Sequence, residues 1–244
     1  MQFDVQSFEE ISREKILAAI EQLRPEIQPS PEMRVDGILA KLENRNPTGA
    51  FKVRGGLIYL AWLTSAFPHI KTVIAATRGN HGQSIAFAAG KAGLTCQIVV
   101  PFGNSPFKNR AMRELGAEII EHGKDFAESL AFAETEAKKT GAHFVPSFDW
   151  KLVLGVSSYG YEMFSANPDL DAVYVPIGLG SGICGTLAAR NALNLSTKII
   201  GVVAENAPAY AESLKAGLVI EGRDIPDTVA DGVACRNTGV SCNS

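Results

Sequence analysis

From residue 72 to residue 204 short apolar runs alternate with longer stretches of helical character. Thr72–Ala76, Thr95–Pro101, Ala117–Glu121, His143–Pro146, Ala172–Pro176 and Lys198–Ala204 read as strands. Gly79–Lys91, Ser105–Leu115, Lys124–Lys139, Gly155–Ala166 and Gly182–Leu193 read as helices, and Gly93, Gly116 and Gly141 stand where three of them must stop. A helix between two strands carries the chain back across the sheet, so the strands it joins run parallel. Parallel strands are covered on both faces, which explains runs that are apolar throughout instead of alternating. The expected class is α/β, with two parallel or mixed sheets flanked by helices.

Upstream, Ile11, Ile16, Leu17, Ile20 and Leu23 fall at helical spacing within residues 7–24, with Ser7 and Glu10 placed as a capping box. Pro25, Pro29 and Pro31 break that pattern, and Gly37–Glu43 reads as a short strand. With 244 residues the chain can bury one large core or two smaller ones. The linkers are short, so a second domain has to be inserted: residues 67–150 form a smaller domain within a larger one made of 1–66 and 151–244. A net charge of −3 without a basic run gives nucleic acid no footprint. No apolar stretch is long enough to span a membrane, and Met1-Gln2-Phe3-Asp4 is unlike a leader peptide. Cys96, Cys184, Cys235 and Cys242 have neither metal spacing nor a disulfide framework, which points to a reduced, cytoplasmic, metal-independent protein.

Three glycine-bearing stretches stand out from this frame. In Pro47-Thr48-Gly49-Ala50-Phe51-Lys52-Val53-Arg54-Gly55, a lysine follows a turn and opens an apolar helical run. The positive end of a helix dipole disfavours an ammonium there, and a neutral amine can attack a carbonyl. Alone, that lysine reads sooner as a solvated residue on a helix face. Thr77-Arg78-Gly79-Asn80-His81-Gly82 lies between a strand and a helix, where ligands of α/β sheets bind and where backbone N–H groups suit an anion. Its simpler reading is turn and cap. Ile177-Gly178-Leu179-Gly180-Ser181-Gly182-Ile183-Cys184-Gly185 also follows a strand and offers an anion cradle. The same stretch contains Gly180-x-Gly182-x-x-Gly185 with Glu205 downstream, the pattern of a dinucleotide site, so an NAD-binding oxidoreductase domain competes.

Taken together the three stretches resemble the pyridoxal-phosphate enzymes of the tryptophan-synthase β-chain type, and among them the serine/threonine dehydratases. Leu42-Glu43 through Pro47-Thr48-Gly49-x-Phe51-Lys52-x-Arg54-Gly55 matches the cofactor-lysine motif, Gly79-Asn80-His81-Gly82-Gln83 the substrate-carboxylate loop, and Gly178 to Gly182 the phosphate cradle. Thr228-Val229-Ala230-Asp231-Gly232 resembles a further family segment near the cofactor. The resemblance implies a tryptophan-synthase β-like fold. It makes Lys52 the catalytic lysine that also carries pyridoxal 5′-phosphate. Phe51, Asn80, Gly178, Leu179, Gly180, Ser181 and Gly182 become cofactor contacts, and Thr77, Arg78, Gly79, Asn80 and His81 substrate contacts. The implied reaction turns a small hydroxy amino acid such as threonine or serine into a 2-oxo acid and ammonia. Relatives are commonly dimers or tetramers, so a homo-oligomer is expected. The Thr77 and Gly178 stretches look most like the subgroup linked to hydroxyectoine breakdown.

Several positions depart from that pattern. Arg78 replaces the serine that serves related racemases as second acid/base, which disfavours racemisation. Leu179 and Ser181 interrupt the glycines of the cradle, which survives if their backbone angles suit a side chain. The metal site of some relatives maps to Glu205, Ala209 and Ala211 and has lost a carboxylate. The chain stops before the strands that carry the group facing the pyridine nitrogen, so the fold is expected to be incomplete at the C-terminus, and an inactive remnant stands as a third reading.

Overall fold

The computed structural model describes residues 2–220, 222 and 228–234. Cys235 and Cys242 lie outside the described residues.

Four parallel strands form the main sheet. They are β3 (Thr72–Ala76), β4 (Thr95–Val100), β5 (Glu118–Glu121) and β6 (His143–Phe144), in the order β5-β4-β3-β6. Val73, Ile74, Ala75 and Ala76 of β3 are all buried, as a central parallel strand requires. A second, two-stranded parallel sheet pairs β7 (Ala172–Pro176) with β8 (Lys198–Val202). The loops after β3 and β7 both leave from carboxyl ends and run into helix N-termini.

The helices are α1 (Arg13–Leu23), α2 (Lys52–Ala66), α3 (Asn80–Ala92), α4 (Pro106–Glu114), α5 (Phe126–Thr140), α6 (Trp150–Ala166), α7 (Ser181–Ala192) and α8 (Ala209–Ala216). Glycine stops α3 and α5 as expected, with Gly93 (φ 67°) and Gly141 (φ 75°) left-handed at their ends.

Helix α2 is the hub. It is buried on most sides and packs on α3 and α6 at backbone distance. A Cβ at Gly55 would stand 2.7 Å from the Leu152 carbonyl oxygen, and one at Gly56 would run into Ser84. From α6, a Cβ at Gly155 would run into the Arg54 carbonyl. Three glycines thus let Lys52's helix be clamped between two others. One core cluster joins the N-terminal segment, α1, α2, α6 and α7 through Ile16, Leu23, Ile58, Leu154 and Phe164. A second joins α2 and α3 to the main sheet through Leu60, Leu63, Ile85, Ile98 and Met112. Each fully buried side chain of this size contributes about 1.5–3 kcal/mol.

Several expectations need correction. The first helix begins at Arg13, not near residue 7, and its cap is Ser12, whose hydroxyl accepts from Lys15 N–H, so Ser7 and Glu10 form no capping box. The Gly37–Glu43 strand is the second arm of an antiparallel hairpin, β1 (Glu32–Val35) with β2 (Ile38–Lys41), turned by Asp36 (φ 49°) and Gly37 (φ 80°). Helix α6 starts at Trp150, well before Gly155, because the Asp149 carboxylate accepts from Lys151 N–H and caps it. Helix α8 has no counterpart among the sequence expectations.

Candidate active site

The Leu42–Gly49 approach to Lys52 is fixed from one side chain. Glu43 opens a 3-10 turn, Glu43–Arg45, and its Oε2 accepts from Asn46 Nδ2 at 2.7 Å and from Arg54 Nε at 2.8 Å. Asn46 and Arg54 bracket the lysine, so one carboxylate sets both ends of the segment. Arg54, 1% exposed, also donates to Glu162 (2.7 Å) and to Ser158 Oγ (3.0 Å) on α6. Gly49, left-handed at φ 66°, makes the final turn. Lys52 is then the first residue of α2, partly buried, with its amine 5.7 Å from the centre of the Phe51 ring.

The loop after β3 is brought to it by helix packing. Ser84 on α3 donates its hydroxyl to the Lys52 carbonyl at 2.6 Å. His81, in the first turn of α3, is buried, and its pKa is pushed down to about 3 by burial and then by the charge of Lys52, against a backbone hydrogen bond to Val145. This imidazole is therefore neutral at ordinary pH. Its Nε2 is buried without a hydrogen-bond partner. Thr77 is buried and its Oγ1 accepts from Gly79 N–H at 3.1 Å, closing the turn. Arg78 and Asn80 are exposed at the mouth of this loop. A Cβ on Gly79 would collide with the Lys108 side chain, at 2.8 Å from its Cδ. The pKa of Lys108 is lowered by burial and by the neighbouring charge of Arg78. Gly232, in the 3-10 turn Asp231–Val233, approaches the Asn80 amide, with an added Cβ 3.9 Å from Nδ2.

The loop after β7 completes the arrangement. Gly178 and Leu179 are partly buried, while Gly180, Ser181 and Gly182 are buried at the start of α7. Only Gly180 needs a left-handed angle (φ 100°), and Leu179 and Ser181 adopt no positive φ, so the two non-glycine residues are tolerated. A Cβ on Gly182 would stand 3.4 Å from Phe51 Cζ, which brings this loop to the residue beside Lys52. Gly185, the third glycine of the dinucleotide pattern, serves helix packing: its Cβ would stand 2.9 Å from Val156 of α6.

All three sequence stretches therefore meet around Phe51 and Lys52. Sequence reading missed the supporting side chains. Tyr159 lies edge-on to Phe51 with ring centroids 5.8 Å apart and hydrogen-bonds the Gly182 carbonyl at 2.9 Å. Tyr210 of α8 reaches Gly180, where a Cβ would meet its hydroxyl at 2.9 Å. A cavity of about 460 Å³ lies farther along α2, lined by residues including Phe3, Leu57, Trp62 and Lys91, and contains none of the sequence-predicted site residues. Trp62 and Trp150 are partly buried and pack against the core cluster that joins α1, α2 and α6. Among the described residues no three of His, Cys, Asp or Glu cluster as metal ligands.

A family model described as pyridoxal-phosphate dependent enzyme matches residues 22–242. An L-threonine ammonia-lyase of Thermotoga maritima is 37% identical over 205 residues, covering 83% of this chain and 50% of that protein. The chain spans about half the length of the curated relatives it matches first. Among solved structures, threonine deaminase isoform 2 of Solanum lycopersicum matches with a TM-score of 0.81 at 27% identity, over 93% of this chain and 69% of that one. A pyridoxal 5′-phosphate-dependent aspartate racemase matches with a TM-score of 0.87 at 25% identity, over 96% and 76%.

Proposed function

The chain belongs to the family of pyridoxal-phosphate dependent enzymes, and from that premise we propose that it converts a small β-hydroxy amino acid, such as threonine or serine, into a 2-oxo acid and ammonia. The observation that carries the reading is the meeting of the lysine, the His81 loop and the Gly182 loop around Phe51. Similarity to threonine ammonia-lyase and threonine deaminase supports the choice of reaction.

The residues present fit the cofactor. An amine stands at Lys52, and first-turn N–H groups of α7 suit a phosphate. Thr48 Oγ1 and His81 Nε2, both buried without a protein partner, belong to the stretches that flank that amine. In this assignment Lys52 Nζ would hold the cofactor and, once displaced from it by the substrate amine, would be the free amine that takes the proton from substrate Cα. Phe51 flanks the ring and Asn80 donates to its hydroxyl. Gly178, Leu179, Gly180, Ser181 and Gly182 hold the phosphate. Thr77, Arg78, Gly79, Asn80 and His81 receive the substrate carboxylate, with the N–H groups of the turn donating to it and Arg78 supplying charge. When bound, pyridoxal phosphate supplies the electron sink for charge that develops at Cα.

The same reading divides the chain into a larger domain, residues 1–66 with 151–244, and a smaller inserted one, 67–150. The four-stranded sheet falls wholly within the second range. The subgroup linked to hydroxyectoine breakdown, a homo-oligomer and a cytoplasmic location complete the proposal. Among the described residues no helix is long and apolar enough to cross a membrane. Racemisation is the second reading, favoured by the aspartate racemase match. It is opposed by Arg78, whose guanidinium stays charged and cannot deliver a proton to Cα.

A panel of L- and D-hydroxy amino acids, followed for 2-oxo acid release and for enantiomer exchange, tests this. Release from at least one hydroxy amino acid, with no exchange, is expected. Exchange without release from any of them would replace the dehydratase reading by the racemase one.

A further inference from the structure

We propose that Tyr159 is a positioning residue that fixes the phosphate end of the cofactor site through the Gly182–Ile183 peptide. The inference rests on the assignment of Gly178–Gly182 as the phosphate cradle.

Tyr159, Thr186 and the Gly182 carbonyl form a closed knot. The Tyr159 hydroxyl is 2.9 Å from the Gly182 carbonyl oxygen and 2.8 Å from Thr186 Oγ1, and the Thr186 hydroxyl donates to the same carbonyl at 2.9 Å. A peptide unit is planar, so fixing the Gly182 carbonyl fixes the direction of the Ile183 N–H on its opposite edge. Ile183 lies in the first turn of α7, whose N–H groups have no carbonyl one turn back and point out of the helix end. Tyr159 thereby aims the first-turn N–H that adjoins the Gly178–Gly182 cradle.

The same side chain reaches the other half of the site. Its ring meets Phe51 edge-on at 5.8 Å and 62°, and Phe51 in turn lies beside Gly182. Helix α6, which carries Tyr159, is fixed to both partners by glycine contacts: Gly155 on Arg54 of α2, and Gly160 on Ala189 of α7 with a Cβ separation of 3.0 Å. Tyr159 therefore stands where the spacing between the lysine helix and the cradle helix is set. Burial pushes the phenol pKa up to about 12, with Thr186 acting in the opposite sense, so the hydroxyl remains a neutral donor at working pH.

Two cofactor forms separate this role from a general effect on folding. Dissociation constants of pyridoxal phosphate and of pyridoxal, which lacks the phosphate, are measured for the wild type, Tyr159→Phe and Tyr159→Leu, alongside melting curves. Tyr159→Phe keeps the ring against Phe51 and removes the hydroxyl. It should weaken pyridoxal phosphate about five- to tenfold and leave pyridoxal within about twofold, consistent with loss of one hydrogen bond. Tyr159→Leu should weaken both, since it also withdraws the ring. Equal weakening of the two forms in Tyr159→Phe, or no weakening, would overturn the proposal. If the wild type binds pyridoxal phosphate no more tightly than pyridoxal, the cradle assignment fails with it. If the cradle stands but no amino acid yields a 2-oxo acid, only the choice of reaction is lost.

Discussion

Replacing Arg54 by methionine should cost about 3–5 kcal/mol of stability, the range for breaking a buried ion pair from one side. The side chain is 1% exposed. It donates to both oxygens of Glu43, at 2.8 and 3.1 Å, and to both oxygens of Glu162, at 2.7 and 3.1 Å. Burial opposes the guanidinium charge, but Glu162 and Glu43 outweigh it and hold its pKa above the ordinary value. Methionine matches the length of the stem and offers no donors. Glu162 would still have Lys41 at 2.9 Å, whereas the remaining hydrogen-bond partners of Glu43 are the neutral Asn46 and Ser30. Most of the cost therefore falls on Glu43. Adding Glu43→Gln should return about 1–2 kcal/mol by removing the stranded charge, a coupling expected of residues in one network. Urea unfolding followed by far-UV circular dichroism gives both numbers. Raising the salt to about 1 M should change them little, because a buried pair is poorly screened. If Arg54→Met lies within about 1 kcal/mol of the wild type, the network is no stronger than a surface ion pair and does not hold the Lys52 segment.

Lys52→Ala should abolish covalent cofactor attachment and lower turnover by orders of magnitude, read as visible absorbance and 2-oxo acid release. Arg78→Ala should raise the barrier in kcat/KM by roughly 1.5–3 kcal/mol, the scale of a charge-assisted hydrogen bond; wild-type efficiency would remove Arg78 from the substrate site. His81 has a folded pKa of about 3 against an ordinary 6.5, so the unfolded chain binds the extra proton between those values. Stability should then fall as pH drops from about 6.5 toward 3, by up to about 1.4 kcal/mol per unit, and His81→Asn should flatten that slope in denaturant titrations across pH. Gly55→Ala must force α2 and α6 apart and should cost about 1–3 kcal/mol. Gly90→Ala, whose Cβ would meet only the Leu115 carbonyl at 3.9 Å, should stabilise by about 0.5–1 kcal/mol in a thermal melt.

The parallel sheet is legible because β3 is apolar on both faces, β4 ends in the apolar run Ile98-Val99-Val100, and glycine follows the helices that connect the strands. The three loops were legible because each places glycine between an apolar run and a helix. Pro29 and Pro31 signal only a break, which hides the first arm of the hairpin, yet Asp36-Gly37 is a hairpin dipeptide and marks the turn. Asp149 likewise marks the true start of α6, whereas Gly155 marks close helix contact and not a boundary. Glu43 and Arg54 stand in the lysine motif, but Tyr159 and the Glu162 arm of the Arg54 network carry no sequence signal. Arg54 and Glu162 stand 108 positions apart and Tyr159 and Thr186 27 apart, and only the packing of α6 against α2 and α7 brings them together.

The central claim is that Lys52 carries pyridoxal phosphate, and a direct measurement is its chemical capture. The purified protein is loaded with pyridoxal phosphate, reduced with borohydride, digested and sequenced by mass spectrometry. One phosphopyridoxyl group on the peptide containing Phe51-Lys52-Val53, and none on Lys108 or Lys151, is the expected result. A label spread over several lysines, or absent from Lys52, would contradict the account.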